Sequence, residues 1–190
     1  MPNYRRNRVP GGGCFFTINF LERHDNHLLI QHINFLRHVV KRVRTRYYYH
    51  INGWVVLPDH LHCIWTLSSG DDDYAMRIRL INTLFARQIP RIEHRTTVRQ
   101  GRVERGIWQC HFREHTIRDE NDFSRHMDYL HYNPVKHGYV VQLKVWPWPT
   151  FGYHVRRGYY REDRGRCETD MSVGEAGCTC GRIRFAHPPC

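Results

Sequence analysis

The sequence contains no apolar stretch approaching the ~20 residues that a membrane-crossing helix needs. Its start, MPNYRRNRVPGGG, is basic, but no apolar run follows it of the kind a secretory leader carries. These two absences predict a cytoplasmic protein that makes no contact with a membrane. Acidic residues are scarce, with 18 Asp and Glu against 29 Lys and Arg, a net charge of +11. That excess favours a polyanionic partner, because each Lys or Arg placed on a phosphate releases condensed counterions. No P-loop and no internal repeat occur. The seven cysteines are an odd set, and Cys14, Cys63 and Cys110 are scattered through the apparent domain. Reduced thiols are expected rather than a disulfide framework.

What is present suffices for one domain with flanking segments. Hydrophobic residues make up 41% of the 190 positions and aromatics 13%, enough to bury a core. Residues 1–12 read as a basic arm carrying Arg5, Arg6 and Arg8, and residues 13–164 as the domain. Residues 165–190 read as a Cys-containing tail, expected to be disordered. CFFTINF (14–20) alternates and is rich in β-formers, which predicts a strand. Leu29, Ile33, Leu36, Val40 and Val43 recur at helical spacing and predict a helix over 28–46, with Arg37, Lys41 and Arg44 beside the apolar stripe.

INGWVVL (51–57) and HLHCIWTL (60–67) read as a hairpin turned at Pro58-Asp59. SSGDDD (68–73) supplies an N-cap for a helix over 74–88. Residues 89–106 read as a flexible basic loop, and a short strand follows near 113–117. A last helix runs from about Asp119 to Tyr132, closed by Asn133-Pro134, because proline disfavours α conformation in the residue before it. The order β-α-β-β-α-β-α predicts an α+β fold. It is the ferredoxin-like split βαβ core, with an antiparallel sheet and helices on one face.

The strongest local feature is His60-Leu61-His62 inside a strand. Successive side chains point to opposite faces, so the two imidazoles share one face and Leu61 enters the core. On the last helix, Phe123, Met127 and Leu130 form the core stripe, while Tyr129 and Asn133, spaced i and i+4, lie together on another face. A carboxamide oxygen beside two imidazoles makes a neutral donor set that leaves a cation's charge intact for polarising a phosphate. Two solvated histidines, a packing tyrosine and ordinary Asn-Pro turn chemistry are the plainer account of the same residues.

Three segments, WVVLPDHLHCIW (54–65), REHTIR (113–118) and DYLHYNPVKHGYV (128–140), resemble the REP-associated tyrosine transposases. These are bacterial relatives of the single-tyrosine insertion-sequence transposases in the HUH nuclease superfamily. The resemblance takes in GGGCFFTINF (11–20) and covers roughly residues 4–155. It implies that His60 and His62 are metal ligands, that Tyr129 is the nucleophile, and that Asn133 falls where relatives place a third metal-binding side chain. It further implies a Mg²⁺ or Mn²⁺ cofactor and cleavage of single-stranded, hairpin-forming DNA through a 5′-phosphotyrosine. It implies a nucleoid-associated setting and a monomer or a dimer. Arg5, Arg6, Arg8, Arg37, Lys41 and Arg44 are the expected DNA contacts.

Two other readings stand beside this one. A domesticated, non-cleaving protein would bind REP DNA on the same fold. A structural zinc site would draw four ligands from Cys167, Cys178, Cys180, His187 and Cys190 of the tail, although the C-x-C spacing is not the paired C-x-x-C of such sites.

Overall fold

In the computed structural model, which describes residues 6–91, 105–147 and 150–157, Gly13–Asn19 form strand β1. A one-turn helix α1 (Leu28–Gln31) and helix α2 (Ile33–Arg46) lead to β2 (Tyr49–Val56) and β3 (His60–Leu67). Helix α3 (Tyr74–Gln88) precedes β4 (Arg113–Thr116) and the long helix α4 (Glu120–Lys136). A short helix, Phe151–Arg156, ends the described chain. The sheet order is β2-β3-β1-β4 with every neighbour antiparallel, so β1 and β2 run parallel with β3 between them. This is the split βαβ arrangement and the α+β class that the element order predicts.

Strand alternation divides the core in two. Phe16 and Ile18 of β1 and Leu61, Cys63 and Trp65 of β3 face α2 and α3, where Leu36, Val40, Ile78 and Phe85 meet them. The two crossover helices therefore share one face of the sheet. The intervening side chains, Phe15, Val55 and Ile64, point the other way and pack under Met127 and Leu130 of α4. Each such side chain, once buried, contributes about 1.5–3 kcal/mol. The expectation of helices on one face therefore holds for α2 and α3 but not for α4, which covers the opposite face, the one that carries His60 and His62, and this sets up the site.

Local rules hold at the helix starts. Asp73 caps α3 by accepting from the Met76 amide at 3.0 Å, and Asp119 caps α4 by accepting from Asp122 at 2.8 Å. The expected single helix over 28–46 is broken at His32, which leaves helical geometry at φ −111°, ψ 29°. The Leu29 amide there donates to Pro58 O at 3.2 Å, tying the first turn to the β2–β3 connection. Strand β2 begins earlier than predicted, at Tyr49, and its register slips between Ile51 and Gly53. Met127 packs directly on Gly53, where a Cβ would lie 2.5 Å from its sulfur.

The predicted closure of the last helix at Asn133-Pro134 is corrected by the structure, which continues α4 through Pro134 to Lys136. Proline forfeits only its own amide bond, and the turn beyond is recovered. His137 N donates to Asn133 O at 3.0 Å, Gly138 N to Val135 O at 2.9 Å and Tyr139 N to Pro134 O at 2.9 Å. Gly138, at φ +72°, then ends the helix in the left-handed conformation.

The outer edge of β2 is covered rather than open. Thr150 both accepts from the Trp54 amide at 3.0 Å and donates its own amide to Trp54 O at 2.9 Å. Among the described residues no helix is long and apolar enough to cross a membrane. Arg5, most of the predicted basic loop and the 165–190 tail with its cysteines lie outside the described residues.

Candidate active site

Strand β3 opens on His60, and the strand period puts His62 on the same face beneath α4. Both imidazoles are buried, each 3% exposed, with ring centroids 5.0 Å apart and planes nearly perpendicular. His60 Nδ1 lies 2.7 Å from Asp59 Oδ1, and His62 Nδ1 lies 2.9 Å from the Thr17 hydroxyl. Each ring therefore has its Nδ1 engaged, and Nε2 is the nitrogen available to a further ligand. Burial, reinforced by the neighbouring His60 and His137, holds the His62 pKa well below 6.5. His62 is neutral at physiological pH, the state in which an imidazole can donate to a metal.

Helix α4 and its C-cap bring four residues to this site. The half-buried Tyr129 ring stands edge-on to His62 at 5.5 Å and meets Phe15 at 5.9 Å. One turn further on, Asn133 is fully buried, its side chain within hydrogen-bonding range of the His62 ring. Neither its Oδ1 nor its Nδ2 makes a well-formed hydrogen bond to the protein. A buried carboxamide this poorly satisfied is costly and calls for an explanation. Next to two imidazoles, a cation bound through Oδ1 supplies one, so the residues present fit a divalent ion. The extra turn past Pro134 delivers Lys136, whose Nζ is 5.0 Å from the Tyr129 ring centroid, and His137, whose ring is 5.2 Å from His60.

The expected DNA contacts fall in two separate places. Arg37, Lys41 and Arg44 line one groove of about 1270 Å³ along the β2 edge, together with Tyr48, Tyr153 and Arg157. None of His60, His62, Tyr129 or Asn133 lines it. Arg44 also donates to Tyr49 O at 3.0 Å. In the arm, Arg6 lies 3.6 Å from Glu114 and over the Phe112 ring, and Arg8 lies 3.4 Å from Asp72. Both arm arginines are thus engaged with the domain.

Sequence reasoning missed a second group with ligand chemistry. His115 of β4 and Asp122 and His126 of α4 hold their ligand atoms within 4.8 Å of one another. Here each atom already has a protein partner. Asp122 accepts from His115 Nε2 at 2.8 Å and lies 3.1 Å from His126 Nδ1, and the two rings stack at 4.4 Å. The trio ties the start of α4 to β4. Phe15 separates it from the first site, 5.0 Å from the His126 ring and 5.5 Å from that of His62. Asp59, Arg23, Thr17 and Lys136 were likewise not singled out from sequence, although Asp59 and Lys136 stand inside the segments that carry the resemblance.

A split βαβ domain with a helix-borne phenol set against a strand-borne pair of imidazoles is of the tyrosine transposase class. The comparisons narrow the class. The chain is 42% identical over 175 residues to the REP-associated tyrosine transposase of Escherichia coli (strain K12), covering 92% of this chain and 98% of that protein. It is also 42% identical over 166 residues to a Haemophilus influenzae protein named for the same family, covering 87% of this chain and 94% of that one. A solved structure of a REP-associated tyrosine transposase bound to a REP hairpin superposes with a TM-score of 0.75 at 41% identity, covering 93% of this chain and 98% of that chain. No protein-family model matches the sequence. The chain belongs to the REP-associated tyrosine transposases.

Proposed function

We propose that the protein is a single-stranded DNA endonuclease and strand transferase acting on REP-type hairpins, with Tyr129 as its nucleophile. The observation that carries this reading is the meeting of Tyr129 with His62 beneath α4, beside the poorly satisfied amide of Asn133. The solved relative is bound to a REP hairpin, which supports hairpin DNA as the substrate of this chain as well.

The phenolic oxygen of Tyr129 attacks the phosphorus of the scissile diester as the phenol gives up its proton. The bond from phosphorus to the 3′-oxygen breaks, and that oxygen departs as a 3′-hydroxyl. The 5′-phosphate stays on the tyrosine. One ester is exchanged for another, so the linkage's energy is kept and the step reverses to join strands without a nucleotide cofactor. His60, His62 and Asn133 would hold a Mg²⁺ or Mn²⁺ ion, which when bound polarises the scissile phosphate. Lys136 sets a positive charge over the Tyr129 ring, where it would attract the phosphate that the phenol attacks. Phe15 stacks on His62, and both imidazoles are buried from bulk water, which strengthens these charges' effect on the reacting groups.

The test is incubation with labelled REP-type hairpin oligonucleotides and Mn²⁺, followed by peptide mass spectrometry. A nucleotide adduct on the Tyr129 peptide is the expected result. Cleavage that leaves its adduct on another residue, or tight hairpin binding with no adduct at all, overturns the assignment.

A further inference from the structure

The imidazoles of His60 and His62 differ in what holds them. Thr17 offers His62 a hydroxyl, which can donate or accept and so suits either tautomer. Asp59 offers His60 a carboxylate, buried with a side-chain exposure of 8%. Its other oxygen meets the Arg23 guanidinium through Nε, the pairing of an ionised carboxylate. An ionised carboxylate only accepts, so a 2.7 Å approach of its oxygen to Nδ1 requires the proton to sit on Nδ1. Arg23 Nη2 also comes within 3.4 Å of Nδ1. Once Nδ1 carries its proton, that nitrogen cannot accept, so the guanidinium acts on the carboxylate, which it meets through Nε.

We infer that Asp59, braced by Arg23, is a positioning residue that fixes His60 in the Nδ1–H tautomer with its Nε2 lone pair aimed away from the carboxylate. This rests on the reading of His60 as a metal ligand and deepens it. A ligand imidazole whose second nitrogen donates to a carboxylate is oriented in advance and made a better donor, and loss of such a partner typically costs about 10–100-fold in metal affinity. Asp59 would act through His60, the imidazole it holds. The sequence alone did not show this, since Pro58-Asp59 reads as turn chemistry. The structure makes the turn residue a second partner of the site.

The experiment compares the full-length wild type with Asp59→Asn, an isosteric change, and with Asp59→Glu. Long-range ¹H–¹⁵N spectra of the imidazoles report the His60 tautomer without any metal, and Mn²⁺ titration calorimetry reports affinity. In the wild type His60 should be wholly Nδ1–H. In Asp59→Asn the tautomers should mix, because a carboxamide both donates and accepts, and Mn²⁺ affinity should fall about 10–100-fold. Asp59→Glu should restore part of both. An unchanged tautomer in Asp59→Asn, or an affinity within twofold of wild type, overturns the inference. A wild type that binds no Mn²⁺ overturns the metal reading instead, and the tautomer spectra still decide the role of Asp59.

Discussion

Tyr129 and His62 meet edge to face, 5.5 Å between ring centroids with planes at 72°, although they come from a helix and a strand 67 positions apart in the chain. The contact places the proposed nucleophile's aromatic body against a candidate metal ligand. It also separates the ring's packing role from its hydroxyl's chemical role.

That separation makes Tyr129→Phe informative. Phenylalanine keeps the ring's contacts with Phe15, His62 and Lys136 and removes only the oxygen. Covalent capture of a hairpin oligonucleotide should disappear, while hairpin affinity in a filter-binding or anisotropy assay should stay within about threefold, or roughly 0.6 kcal/mol. Persistent adduct in this variant would assign the chemistry elsewhere.

The two histidine clusters give a paired test of where the metal acts. His62→Ala removes a neutral imidazole with Nε2 available, whereas His126→Ala removes one member of a trio whose ligand atoms are already paired. Cleavage should be lost with His62→Ala and with a chelator, each by more than 100-fold. His126→Ala should retain the metal requirement and act through loosening of α4, seen as a lower melting temperature. A variant at position 126 that folds normally yet loses its Mn²⁺ response would move the metal to the other cluster.

Stability should carry the signature of Asp59. Its folded-state pKa of about 2 lies below the ordinary 3.8. The associated stabilisation is therefore complete above pH 3.8 and lost as pH falls towards 2. Its size is about 2 kcal/mol, from 1.36 kcal/mol for each tenfold step in the proton equilibrium. In denaturant titrations the gap between wild type and Asp59→Asn should be constant from pH 5 to 7 and close between pH 4 and 2. A gap that persists at pH 2 would mean that the aspartate's charge contributes nothing.

Much of this site was legible because it depends on short-range periods. The strand period alone puts His60 and His62 on one face and Leu61 in the core, and the helix period puts Tyr129 with Asn133 at the margin of the stripe that buries Met127 and Leu130. The extension of α4 past Pro134 was not legible. The local rule at Asn133-Pro134 favours a stop, and burial of both residues at the sheet overrides it. Lys136 and His137 reach the site only through that override. The partners Arg23 and Asp59 were hidden for another reason. They lie 36 positions apart, and nothing periodic links a loop arginine to a turn aspartate.

The groove along β2 gives the remaining prediction, because its cations lie away from Tyr129 and should affect binding without touching chemistry. Arg37 and Lys41 lie on the exposed side of α2, where the apolar stripe predicted flanking charge, and both line the groove. If they meet DNA phosphates, Lys41→Ala and Arg37→Ala should each reduce the slope of log affinity against log salt by about 1. The change should be uniform across hairpin sequences, since phosphate contacts carry no base information. Cleavage measured at saturating hairpin should be unaltered, because neither residue reaches the His60–His62 pair. The measurement is anisotropy across a salt series for wild type and each variant. An unchanged slope in both variants would remove this groove from the DNA path and leave its charge to solvent. A loss of cleavage at saturating DNA would show instead that α2 communicates with α4 across the β2 edge.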